Sequence, residues 1–132
     1  MFYKKKQKYK YTLSCTVSID LLNIPSYKHT EIETEFIKLI KGCFIIKAGY
    51  SWNGANFIFD TKKNIYPSLI HDCLYQIIEE KFVLYYDFKK EADDLFVEMC
   101  RDRGTNKFLC WCYSKALKWF GKNSLKGKLY CE

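Results

Sequence analysis

The chain has 132 residues, a formal net charge of +7, and an aromatic complement of 11 Tyr, 10 Phe and 3 Trp. That length predicts a single domain burying roughly two thirds of the surface an unfolded chain exposes, and the aromatic content excludes disorder outside the ends. No apolar run approaches the ~18 to 20 residues of a membrane span, and the N-terminus lacks the apolar core and small-residue cleavage site of a signal peptide.

The opening stretch, "MFYKKKQKYK", and the closing one, "KWFGKNSLKGK", carry much of the positive charge. Charged ends are ordinarily solvated. They are also suited to phosphate, whether of nucleic acid or of anionic lipid. In "YKKKQKYKY" lysines alternate with tyrosines, a weak pattern for single-stranded nucleic acid.

Residues 9–48 read as strands. "YKYTLSCTVSIDLL" alternates, with Tyr11, Leu13, Cys15, Val17 and Ile19 on one face, the period of a half-buried strand. Asn23 and Pro25 break the pattern. "TEIETEFIKLI" alternates again, with Ile32, Thr34, Phe36 and Lys38 opposite Glu31, Glu33 and Glu35; its Glu, Ile, Leu and Lys would suit a helix, but the Thr content and the neighbours favour a strand, and "CFIIKAGY" after Gly42 predicts a further strand. Residues 49–64 read as a loop with two glycines, an Asn53-Gly54 turn signal and some backbone carbonyls turned inward.

Residues 65–121 read as helical. Pro67 suits a first helical turn, and Ile70, Leu74, Ile77 and Ile78 recur at helical spacing. A second helix is expected after Asp87 as N-cap, with Phe88, Ala92, Leu95, Phe96 and Met99 buried and Gly104 as C-terminal cap. A third runs through "NKFLCWCYSKALKWF" to Gly121, leaving residues 122–132 as a basic tail. The short connections make the first two helices antiparallel neighbours. The expected class is therefore α+β, with N-terminal antiparallel strands, an antiparallel helix pair and a third helix.

The seven cysteines are odd in number, and Cys110-x-Cys112 lacks zinc-finger spacing. In apolar surroundings they read as reduced thiols in a cytoplasmic product.

The segment "SLIHDCLYQ" sets His71 beside Asp72 within an apolar run, with Tyr75 one helical turn beyond the histidine. Neighbouring helical residues point about 100° apart, so His71 and Asp72 serve different partners. A buried histidine near a carboxylate is a common setting for a general base. The carboxylate would come from the next helix, from Asp93 or Asp94, with Ala92 letting the helices approach. Asp72 beside the glycine-containing loop would suit a hard cation, with loop carbonyls as further oxygen ligands. A plain structural role fits the same residues: a hydrogen-bonded core histidine, and Asp72 in the first helical turn favouring the helix dipole. A His-Asp metallohydrolase would need more histidines, and only His29 remains.

"GYSWNGANFIFDT...SLIHDCLYQI...KKEADDLF" resembles a domain family of unknown function found in phage and bacterial genomes. That family carries an aromatic with D-G-A-S before an H-D-x-L-Y helix, then A-D-x-x-F. The resemblance spans about residues 48–121, with Asn53 and Asn56 in place of that family's Asp and Ser. The same part is similar to the phospholipase A2 module, above all its parvoviral form. That resemblance implies that His71 activates water, Asp93 orients His71 and Tyr75 supports Asp93. Asp72 would bind calcium together with carbonyls near Tyr50, Trp52 and Gly54. It further implies a phage-encoded lipid hydrolase, made in the host cytoplasm, packaged in the virion and acting on a phospholipid membrane surface. The alternative is a non-catalytic virion structural or assembly protein that contacts other phage proteins.

Overall fold

The computed structural model describes residues 3–4, 10–22, 24–28, 30–54, 60–79 and 85–129. The chain divides into two compact units, Met1–Asn53 and Gly54–Glu132.

Among the described residues the first unit holds seven short strands and one helical turn: β1 (Tyr3–Lys4), β2 (Tyr11–Leu13), β3 (Val17–Asp20), α1 (Pro25–Lys28), β4 (Ile32–Glu33), β5 (Ile37–Ile40), β6 (Cys43–Ile46) and β7 (Ser51–Trp52). They form two antiparallel sheets, in the orders β1-β2-β7 and β3-β6-β5-β4. The long alternating segment expected as one strand is two, β2 and β3, in different sheets. The backbone at Leu13 bonds with Tyr50 and Gly49, whereas Val17 pairs with Ile46. Between them Cys15 is exposed, against the expected inward face.

"TEIETEFIKLI" is likewise not one strand but a hairpin. The Thr34 amide donates to the Ile37 carbonyl at 2.7 Å, and the Thr34 hydroxyl accepts from the Ile37 amide at 3.1 Å. β5 and β6 meet across Lys41 and Gly42, whose φ values of 50° and 80° give the primed turn that suits a two-residue hairpin. The sheet core is Ile37, Leu39, Phe44 and Ile46, all but inaccessible to solvent. Two strands lie outside the range expected for them. β1 falls in the basic N-terminal stretch, and β7 falls in the segment expected as loop.

The second unit contains α2 (Ile65–Glu79), α3 (Tyr85–Asp102) and α4 (Lys107–Leu129). α2 starts after Asn64, whose carbonyl accepts the Ser68 amide at 2.9 Å and whose side chain accepts the Thr61 amide at 2.9 Å. The expected stripe Ile70, Leu74, Ile77 and Ile78 is buried, joined by Leu69 and Cys73. α3 begins at Tyr85, so Asp87 lies inside it rather than capping it.

α3 ends as expected. The Thr105 amide donates to the Cys100 carbonyl and the Gly104 amide to the Arg101 carbonyl, both at 3.0 Å, with Gly104 at φ 101°. These are the paired bonds of a Schellman cap, which needs a residue at positive φ. Asn106 then caps α4 by accepting the Leu109 amide at 2.8 Å. α4 does not stop at Gly121; it continues to Leu129 and takes in most of the expected basic tail. Pairings at Tyr66–Arg103, His71–Phe96 and Tyr75–Asp93 run in opposite directions along α2 and α3, so the two helices are antiparallel. Phe96, Cys100, Tyr113 and Leu117 form the core where α3 meets α4. The chain is thus α+β, as expected.

Candidate active site

Apolar stripes turn α2 and α3 toward one another, and Ala92 on α3 is fully buried. A polar cluster closes beside it. His71 Nε2 lies 2.7 Å from Asp93 Oδ1, and the Tyr75 hydroxyl donates to the same oxygen at 2.6 Å. His71 and Tyr75, one turn apart, pack ring on ring with centroids 4.2 Å apart, and the His71 ring meets Phe96 at 5.5 Å in an edge arrangement. The carboxylate left open between two neighbours is settled: Asp93 points inward, while Asp94 is exposed and pairs with Lys90 at 2.7 Å.

Burial works to raise the Asp93 carboxyl. The hydrogen bond and charge of His71 and the bonds from Lys89 and Tyr75 outweigh it, and hold the carboxyl below the usual range. Asp93 is therefore ionised at neutral pH and accepts hydrogen bonds only. His71 therefore donates to it through Nε2, so that in the neutral imidazole the lone pair lies on Nδ1. His71 and Asp93 are each 8% exposed.

Lys89 is the member of this cluster that sequence reasoning missed. Its Nζ donates to Asp93 Oδ2 at 2.5 Å and approaches the Leu117 carbonyl of α4 at 3.5 Å. The signal was present as the four-residue spacing between Lys89 and Asp93, which sets both on one helical face.

Asp72 is half-buried on α2, seven residues beyond Ile65. The first-turn dipole role weighed for it does not apply, because no acidic residue occupies the first turn. The residues expected to hold calcium with it are divided between the units: Tyr50 and Trp52 in the first, Gly54 and Asp72 in the second. The Tyr50 carbonyl already accepts the Leu13 amide at 2.7 Å. Trp52 is paired with Tyr11 in the sheet, with its ring buried against the Tyr11 ring at 5.4 Å. Gly54 has φ 78°, and a Cβ there would collide with the Asp60 carboxylate.

Residues 55–59, including Asn56, lie outside the described residues, as does His29. Among the described residues no group of three His, Cys, Asp or Glu side chains could hold a metal ion. No family model, curated protein or solved structure matches the chain.

Proposed function

We propose that the chain is a phage-encoded, phospholipase A2-like lipid ester hydrolase, with His71 as general base and Asp93 and Tyr75 as its positioning partners. The single observation that supports this reading is the convergence of His71 Nε2 and the Tyr75 hydroxyl on Asp93 Oδ1, at 2.7 and 2.6 Å. In the reaction Nδ1 of His71 removes a proton from water as the water oxygen attacks the ester carbonyl carbon. The resulting imidazolium is stabilised by the ionised Asp93 across Nε2. Collapse of the tetrahedral intermediate breaks the bond to the leaving alkoxide, which takes the proton back from Nδ1. Phospholipid as substrate, calcium as cofactor and a place in the virion come from the resemblance alone. No step is routed through calcium.

The test is fatty-acid release from phospholipid vesicles, with calcium and with a chelator, by wild type and His71→Ala. General-base catalysis contributes about 10²- to 10⁴-fold, so His71→Ala should lose at least about 100-fold. Wild type that releases no more than His71→Ala under either condition removes the reading.

A second reading is favoured by Lys89: a non-catalytic virion structural or assembly protein that keeps the helix pair as scaffold. A cation on Asp93 Oδ2 offsets part of the charge that would stabilise an imidazolium, while making the cluster a well-satisfied structural network. Absent turnover with a strongly destabilised Asp93→Ala chain is the outcome that selects it.

A further inference from the structure

α4 has two faces. Cys110, Tyr113 and Leu117 are buried. On the opposite side, at helical spacings of three, four and four, lie Phe108, Trp111, Lys115 and Trp119. Phe108, Trp111 and Trp119 are 69%, 59% and 68% exposed, among the largest apolar side chains the described residues leave in water. The Phe108 and Trp111 rings stack at 6.3 Å, and the Lys115 ammonium sits 5.6 Å over the Trp111 ring. The sequence of α4 contains six lysines and no Asp or Glu.

We propose that the outward face of α4 is a docking surface for an anionic lipid bilayer, lying in the plane of the membrane interface. Exposing three large aromatics on one helical stripe is unfavourable in water unless something covers them. An aromatic stripe on a lysine-rich helix without acids matches a surface that is apolar below and negatively charged above. Indole rings favour that boundary, since one end is apolar and the N–H reaches water or a headgroup. α4 is not apolar enough to cross a bilayer, and no helix among the described residues is.

Self-association through the same face would bring two acid-free, lysine-rich helices together, and like charges oppose it. A convex helix meets a flat bilayer over its length, whereas single-stranded nucleic acid is ordinarily held in a groove. The inner stripe stays packed within the helical unit, so docking requires no refolding of α4. The proposal stands apart from the hydrolase reading, because binding is measured without turnover.

The experiment uses the full chain, as wild type and as His71→Ala. Vesicles are of phosphatidylglycerol mixed with phosphatidylcholine, or of phosphatidylcholine alone. Co-flotation and tryptophan fluorescence report binding, and bilayer-brominated lipid reports depth. The expected result is partition onto the anionic vesicles, a blue shift, quenching by the brominated lipid, and weakening by salt. Trp111→Ser/Trp119→Ser should lower the partition coefficient by about 100-fold, roughly tenfold per ring half-buried in the interface, with an unchanged melting temperature. Lys115→Gln/Lys118→Gln should lower it for anionic vesicles only. A His71→Ala chain that binds vesicles and releases no fatty acid supports docking whatever becomes of the hydrolase reading. The proposal is overturned if the chain does not partition onto anionic vesicles, or if the double tryptophan variant partitions as wild type does. It is equally overturned if the tryptophan variant loses affinity for a single-stranded oligonucleotide while vesicles are not bound at all.

Discussion

Replacing Asp93 by Asn removes the charge on which three donors converge and tests whether the cluster between α2 and α3 stabilises the fold. The side chains of His71, Lys89 and Asp93 retain only 9%, 13% and 11% of their exposure, so Lys89 is left as a cation in a poorly hydrated place. Breaking a buried ion pair by removing one partner costs about 3 to 5 kcal/mol. The lysine stem can carry its ammonium part of the way to water, so the lower end, about 3 kcal/mol, is expected. For a chain of this size that is a fall of about 10 °C in Tm. Lys89→Met leaves the stem and removes the charge. The double variant Lys89→Met/Asp93→Asn should therefore be more stable than Asp93→Asn alone, with a coupling energy of about 2 kcal/mol. Urea unfolding followed by the far-ultraviolet helical signal measures all four chains. If the two single effects sum to the double effect within about 0.5 kcal/mol, Lys89 and Asp93 do not interact in solution and the reasoning is refuted.

Two further outcomes follow from ionisation. The Asp93 carboxyl is held below its usual value in the folded chain, so its contribution is fully present above the unfolded value of about 3.9 and is lost as pH falls through the folded one. The stability gap between wild type and Asp93→Asn should hold from neutral pH to about pH 4 and narrow only below that; a gap that closes already above about pH 5 would assign the network's charge to another group. Burial, helped by the neighbouring Cys110 and only partly opposed by Arg103, pushes the Cys100 thiol up to about 12. Iodoacetamide on the native chain should therefore modify the exposed Cys15 and Cys43 and spare Cys73, Cys100 and Cys110 until denaturant is added. Peptide mass mapping reads this, and Cys100 labelled as fast as Cys15 would mean that the α3–α4 contact opens readily.

The helical unit was legible because burial there repeats along local sequence. The stripe from Ile70 to Ile78 and the one from Phe88 to Phe96 announce their own faces, and two facing stripes bring His71 and Asp93 into register. The boundaries were less legible. Asp87 is a good cap but α3 starts before it. Gly121 costs about 1 kcal/mol inside a helix, too little to end α4 there. The strands were legible in period but not in extent. Ser14, Cys15 and Thr16 keep the alternation, yet the chain changes sheets across them. That switch is made by distant partners, Tyr50 and Gly49 for Leu13 and Ile46 for Val17, which local alternation does not encode. β7 was missed for the same reason, since two residues become a strand only because Tyr11 and Thr12 pair with them. Lys89 could have been read from its spacing to Asp93, but a lysine on α3 reads as solvated until α4 is known to cover that face.

A polar cluster inside an apolar helix interface has to be explained against apolar side chains of the same size, which often stabilise a fold as well or better. What His71, Tyr75, Lys89 and Asp93 supply and apolar residues do not is register. Sliding α3 by one turn along α2 moves Asp93 about 5.4 Å, beyond hydrogen-bond reach of both His71 and Tyr75, and strands several buried polar groups at once. Apolar stripes alone tolerate such a slip far better, since one aliphatic contact replaces another. Lys89 extends the same constraint to α4 through the Leu117 carbonyl. The hydrolase and scaffold readings both draw on this locking. Holding an imidazole at a fixed orientation is what a general base requires, and holding three helices in one register is what a scaffold requires. The locking is therefore common to both, and only turnover that depends on His71 beyond its effect on stability separates them.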